Sequence, residues 1–97
     1  MNTILAADIG GTNARFTIWN RDAAGDDKLI FTRSYKTEDY STFELCYEQF
    51  MVDSELRQLD SVCLAVAGVV QSNRSNLTNL GWIVDGDKMK SLYHIPM

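Results

Sequence analysis

Near its start this chain sets two glycines between two segments that read as strands, and this limits its fold more than any other feature. Thr3 to Ile9 is a short, largely apolar run ended by Gly10-Gly11. Ala14 to Trp19 then alternates, with Ala14, Phe16 and Ile18 on one face and Arg15, Thr17 and Trp19 on the other. That period of two belongs to a half-buried strand. Strands joined this closely pair antiparallel, because a parallel return needs a long crossover. A second turn, Asn20 to Asp27 with Gly25 inside it, leads to a third strand from Lys28 to Tyr35. The spacing predicts an antiparallel meander.

The strongest helix signal follows. Ser41 with Glu44 three residues later has the form of a capping box, each side chain serving the other's free backbone N–H. Tyr40 before the cap is placed to pack on Leu45 as a hydrophobic staple. Phe43, Cys46, Tyr47 and Phe50 recur at helical spacing and predict one buried stripe through about Val52. Ser61 to Ala67 is apolar on both faces, the pattern of a strand covered on both sides. A helix precedes it, so it is expected to pair in parallel with the first strand. Val69–Gln71 and Asn76–Thr78 read as short strands around a Ser72-Asn73-Arg74-Ser75 turn. A last short helix is expected from Asp85, an acceptable N-cap, to about Tyr93 before Pro96. The expected fold is α/β, a mixed sheet with the order β-β-β-α-β, plus short appended strands and a short helix. At 97 residues the chain has room for one domain, residues 1–97.

Charge and length remove several functions. Nine basic against thirteen acidic residues give a net charge of −4, and no basic block stands out, so nucleic-acid binding is not expected. The longest apolar run, Val62 to Ala67, is far too short to span a bilayer as a helix. Met1-Asn2-Thr3 lacks the charged and apolar start of a signal peptide, and a cytoplasmic protein is expected. Cys46 and Cys63 have no metal-type spacing and are expected to be small reduced core residues.

Chemistry concentrates in Asp8-Ile9-Gly10-Gly11-Thr12-Asn13. The glycines permit positive φ and close approach of a ligand to the backbone. Successive N–H groups in such a turn form a concave nest that suits phosphate oxygens. Thr12 and Asn13 add side-chain donors, and Arg15 adds a fixed positive charge. Asp8, at a strand end, is placed to hold a magnesium ion through its water shell. The segment is neither a P-loop, which needs Gly-Lys-Ser/Thr before a helix, nor a dinucleotide fingerprint. By itself it also fits a plain hairpin turn.

With its neighbours the segment becomes more specific. Asp8 to Arg15 resembles the first phosphate motif of sugar kinases in the actin-like ATPase superfamily, and more narrowly that of the bacterial glucokinase family. Leu77-Thr78-Asn79-Leu80-Gly81-Trp82 resembles the Thr-Asn-x-x-Trp segment of that family. Val62 to Gly68 resembles its buried strand and Ala-Gly turn, and Asp87-Lys88-Met89-Lys90 its following short helix. Val69 stands where a proline is common. The resemblance spans nearly the whole chain.

It implies a ribonuclease H-like, actin-like ATPase lobe: the small N-terminal lobe of a two-lobed enzyme whose C-terminal lobe is absent here. The parent enzyme would phosphorylate glucose to glucose 6-phosphate with ATP and magnesium. Asp8, Gly10, Gly11, Thr12, Asn13 and Arg15 would border the ATP phosphates, with Asp8 near the metal. Thr78 and Asn79 would line the sugar side, and Trp82 would anchor that loop by packing. The family's catalytic base is the aspartate of an Asn-Asp pair on a later strand, and it is expected beyond Met97. Asp85 and Asp87 sit where acidic residues favour a helix start. His94, the sole histidine, is expected at the surface. The chain alone is therefore expected to be inactive. The alternative is a non-catalytic sugar- or nucleotide-binding module of the same superfamily. A repressor of the ROK type would need a basic helix-turn-helix before the first strand. An isolated lobe exposes apolar surface, so a homo-oligomer is expected.

Overall fold

The alternation around Phe16 is realised as one face of a sheet. The structure, a computed structural model, describes residues 2–56, 59–66, 70–77 and 81–93. Strands β1 (Asn2–Ile9), β2 (Asn13–Arg21) and β3 (Asp27–Lys36) form the expected antiparallel meander. A 3-10 turn, Thr37–Asp39, leads to helix α1 (Phe43–Ser54), and strand β4 (Ser61–Val66) then pairs in parallel with β1. The sheet order is β3-β2-β1-β4. A second sheet holds β5 (Val70–Gln71), β6 (Arg74–Leu77) and β7 (Trp82–Asp85), and α2 (Gly86–Tyr93) follows it. The sequence reading did not foresee β7.

Leu5, Ala7 and Ile9 of β1 and Ala14, Phe16 and Ile18 of β2 all point into the core. The buried stripe of α1, Phe43, Cys46, Tyr47 and Phe50, covers them as its spacing requires. Phe16 stacks on Phe50 and Phe43 with ring centroids 5.0 and 6.1 Å apart, and meets Tyr35 edge-on at 5.9 Å. Such aromatic pairs add about 0.5–1.5 kcal/mol each beyond area burial.

Three local expectations change. The N-cap of α1 is Thr42, not Ser41: its side-chain oxygen accepts the Leu45 N–H at 3.2 Å. Glu44 then lies one position too early for a capping box, and its carboxylate accepts from Lys88 at 3.0 Å. The Tyr40 ring meets Tyr35 edge-on, and Leu45, its expected staple partner, is 49% exposed. The Ser72–Arg74 region is tighter than expected. Ser72 and Asn73 alone make the turn, with φ of 52° and 61°, and Arg74 and Ser75 belong to β6. Asparagine tolerates this left-handed region better than most side chains.

Strand β4 is not covered on both faces. Val62, Leu64 and Val66 face the core half-buried, whereas Cys63 and Ala65 are exposed on the other side. The reading of both cysteines as core residues therefore holds for Cys46 and fails for Cys63. The second sheet is tied down by Trp82, 1% exposed, whose Nε1–H donates to the Tyr40 carbonyl at 2.9 Å. Trp82 is buried as expected, while the Thr78-Asn79 loop it was expected to anchor lies outside the described residues. Helix α2 begins as expected: the Asp85 carboxylate accepts from the Asp87 and Lys88 N–H groups at 3.0 and 3.2 Å. Its other end meets α1, where the Tyr93 hydroxyl donates to Glu48 at 2.8 Å. Ala67, Gly68, Val69 and His94 lie outside the described residues. Among the described residues no helix is long and apolar enough to cross a membrane.

Two predictions follow from this packing. Burial pushes the Cys46 thiol up to about 12, so a disulfide reagent at pH 8 should label one thiol, Cys63, in the folded chain and two in denaturant. Rapid labelling of both in the folded chain would contradict the buried placement. The second concerns acid stability. The Tyr35 hydroxyl donates to the Asp53 carboxylate at 2.6 Å and, with the Gln49 amide and Arg33 beside it, holds that carboxyl below its ordinary range. A depressed carboxylate stabilises the fold above its unfolded pKa of about 4 and loses that contribution as pH falls through the folded value. Urea midpoints measured from pH 6 to 3 should therefore fall less steeply in Tyr35→Phe than in the wild type.

Candidate functional site

The core decides which side chains the glycine turn exposes. Register pairs Ile9 with Ala14 and Asp8 with Arg15. Ile9 and Ala14 are buried, so alternation turns Asp8 and Arg15 to the opposite, open face. Gly10, Gly11 and Thr12 connect the strands, closed by a Gly10 N–H to Asn13 carbonyl bond of 2.9 Å. Behind the turn, Thr37 donates its N–H to the Thr12 carbonyl and its Oγ1–H to the Gly11 carbonyl, both at 3.0 Å.

An open basin of about 620 Å³ lies over this turn, lined by Asp8, Gly10, Gly11, Thr12, Asn13, Arg15 and Ser34. The six residues singled out from the sequence are thus gathered at one place. Ser34 is the addition. It stands opposite Arg15 on β3, and the Arg15 Nε–H donates to its Oγ at 3.4 Å. Counting the alternation of β3 does not reveal this, because the β2–β3 register shifts at Ile18/Trp19. Thr37 was missed as well, since nothing in its local sequence marks a residue behind the turn.

The glycines act differently from the expectation. Positive φ among glycines occurs at Gly25 and Gly81, not at Gly10 or Gly11. What Gly11 supplies is room: a Cβ built there meets nothing within 4 Å and projects into open space. Gly10 would bring a Cβ to 3.5 Å from the Asn13 carbonyl, an ordinary contact. Asp8 supplies a carboxylate at the basin wall and Arg15 a guanidinium across from it. Among the described residues neither joins an ion pair, and no three His, Cys, Asp or Glu side chains converge as a metal cage. Thr78 and Asn79 lie outside the described residues.

A second, more enclosed cavity of about 70 Å³ lies between β4, the small sheet and α2, walled by Val62, Leu64, Val66, Val84 and Met89. It is too small for a nucleotide, and Asn73, Arg74 and Ser75 add a polar side to its mainly apolar wall. The polar, open basin is where charge chemistry is possible.

The glucokinase family model matches residues 5–97. This chain belongs to the glucokinase family. It is 40% identical to a Caulobacter glucokinase over 86 residues, covering 89% of this chain and 26% of that protein. It is likewise 40% identical to a Rhizobium meliloti glucokinase over 81 residues, covering 84% and 23%. The chain therefore spans about a quarter of the length of the curated glucokinases it matches. The crystal structure of a glucokinase from an Antarctic psychrotroph superposes with a TM-score of 0.86 at 30% identity, covering 98% of this chain and 30% of that one. The mixed α/β fold implied by the sequence resemblance is the fold this chain shares with that glucokinase.

Space at the turn yields a contrast between two glycines. Gly11→Ala should leave the urea unfolding free energy within about 0.5 kcal/mol of wild type, or raise it slightly by restricting the unfolded chain. Gly86→Ala should destabilise by about 1 kcal/mol, because the new Cβ pushes the exposed Asn73 side-chain amide off Asp87. Equal effects of the two substitutions would contradict the described geometry.

Proposed function

We propose that this chain is the small N-terminal lobe of an enzyme that transfers the γ-phosphate of ATP to the 6-hydroxyl of glucose, and that its own part is to hold the phosphates. The observation carrying this reading is the convergence of Asp8, Gly10, Gly11, Thr12, Asn13 and Arg15 on one open basin, joined by Ser34. The residues present fit a magnesium-bound polyphosphate. Gly11 leaves open the space a side chain would fill, and a ligand oxygen can approach the backbone there. Arg15 offers a charge-assisted donor, and the Thr12 hydroxyl and Asn13 amide offer neutral ones. Asp8 faces the same basin with the oxygen chemistry a hydrated magnesium ion prefers. When bound, magnesium would spread and neutralise phosphate charge. Phosphoryl transfer depends mainly on such positioning and neutralisation.

The sugar side falls to Thr78 and Asn79 by their family motif. These 97 residues contain no Asn-Asp pair, so general-base chemistry belongs to another part of the enzyme and the chain alone turns over no glucose. The family assignment favours a cytoplasmic site of action. Leu29, Ile30, Val70 and Leu92 are each about half exposed, which favours self-association of the chain in isolation. A monodisperse monomer in light scattering at high concentration would contradict that last point.

Calorimetric titration of the chain with magnesium-ATP should give saturable binding, weakened at least about tenfold in Arg15→Ala through loss of a charge-assisted contact. Gly11→Ala, stable as a fold, should weaken it too by crowding the phosphates. No binding up to millimolar ATP would overturn the phosphate reading. A coupled glucose phosphorylation assay of the chain should stay at background, and turnover above it would overturn the assignment of the base to another part of the enzyme.

A further inference from the structure

Thr37 and Ser75 are the buried polar side chains of the described residues. The Ser75 hydroxyl has no partner, whereas Thr37 donates twice, and both donated bonds end on the glycine turn. Its N–H holds the Thr12 carbonyl and its hydroxyl holds the Gly11 carbonyl. These carbonyls belong to consecutive peptide units. No peptide bond described is cis, and in a trans unit the C=O and N–H point in opposite directions. Fixing the Gly11 and Thr12 carbonyls toward Thr37 therefore turns the N–H groups of Thr12 and Asn13 away from it. Gly11, Thr12 and Asn13 line the basin, and Thr37 does not. Two neighbouring N–H groups aimed to one side are the working part of an anion nest.

We infer that Thr37 is a positioning residue for phosphate binding, a role resting on the phosphate reading above: it touches no ligand, but holds two peptide units so that their N–H groups face the basin. The need for such a hold lies in the turn itself. A Gly-Gly segment has wide backbone freedom, and rotation of the Gly11–Thr12 peptide unit would reverse the Thr12 N–H. That rotation would also strip the buried Thr37 hydroxyl of its acceptor, which is costly at a site 2% exposed. Thr37 so converts a flexible turn into a prepared one, and preparation lowers the ordering cost of binding.

The test uses inorganic tripolyphosphate and amide NMR of the labelled chain. In the wild type the Gly11, Thr12 and Asn13 amides should shift and saturate. Thr37→Val, which removes the hydroxyl at nearly constant shape, should bind roughly tenfold more weakly, with its other strand amides unmoved. Thr37→Ser, which restores the hydroxyl, should bind within about twofold of wild type. A folded Thr37→Val that binds like the wild type overturns the inference. So does a folded Thr37→Ser as weak as Thr37→Val, since the effect then belongs to packing. Should Thr37→Val fail to fold, the wild type still decides. The coupling across the Thr37 N–H to Thr12 carbonyl bond must persist at saturating tripolyphosphate, and its loss overturns the inference. If the wild type binds no tripolyphosphate, the phosphate reading falls first and this role falls with it.

Discussion

Phe16 is the side chain on which the rest of this structure depends. It sits on β2 with no solvent exposure, stacked between the Phe43 and Phe50 rings of α1 and edge-on to Tyr35 of β3. One residue thereby joins helix, central strand and edge strand. Replacing such a ring by alanine typically removes about 3–5 kcal/mol, comparable to the whole stability of a small domain. Its influence reaches the basin through the pleat. With Phe16 and Ala14 facing inward, Arg15 must face outward, and pairing with β1 sets Asp8 beside it. A slip of one residue would bury the charges and expose the ring. Burial energy in the core thus keeps the charged groups of the basin in place.

The small sheet depends on a different kind of contact. It shares no strand with the main sheet, and what fixes it is Trp82, buried against Phe43 with its N–H on the Tyr40 carbonyl. Helix α2 adds the Lys88–Glu44 and Tyr93–Glu48 contacts to α1. The exposed ion pair contributes little, about 0–1 kcal/mol. Most of the attachment is therefore apolar burial by Trp82, Val84 and Met89.

Much of this was legible in the sequence, and the residues show why. Strict alternation from Ala14 to Trp19 and the stripe at Phe43, Cys46, Tyr47 and Phe50 are periodic signals repeated over several turns or pleats, and both survived. The glycine turn was legible because its residues are contiguous. Signals resting on one residue pair were weaker. Ser41–Glu44 fitted a cap, but Thr42 beside it has the same chemistry, and the backbone took the later one. Cys63 and Ala65 are apolar enough to read as buried, although β4 is an edge strand with one face open. Ser34 and Thr37 were invisible for another reason. Their importance comes from strand register and from a turn far along the chain, and neither property resides in nearby residues.

The Asn73–Gly86 contact has a consequence for how this sequence can change. The Gly86 N–H donates to the Asn73 carbonyl at 2.9 Å, the Asn73 amide donates to Asp87, and the same amide fills the space a Cβ at position 86 would need. A side chain at 86 would displace that exposed amide from Asp87, so the two positions are coupled. A side chain at 86 becomes acceptable once 73 holds a smaller residue, and 73 must at the same time keep its left-handed backbone, for which glycine is the natural successor. Among related sequences the pair should drift as a unit, trading bulk across the hairpin. Grafting Asn73 into a relative with a side chain at 86 would import the clash, whereas Gly86 alone would not.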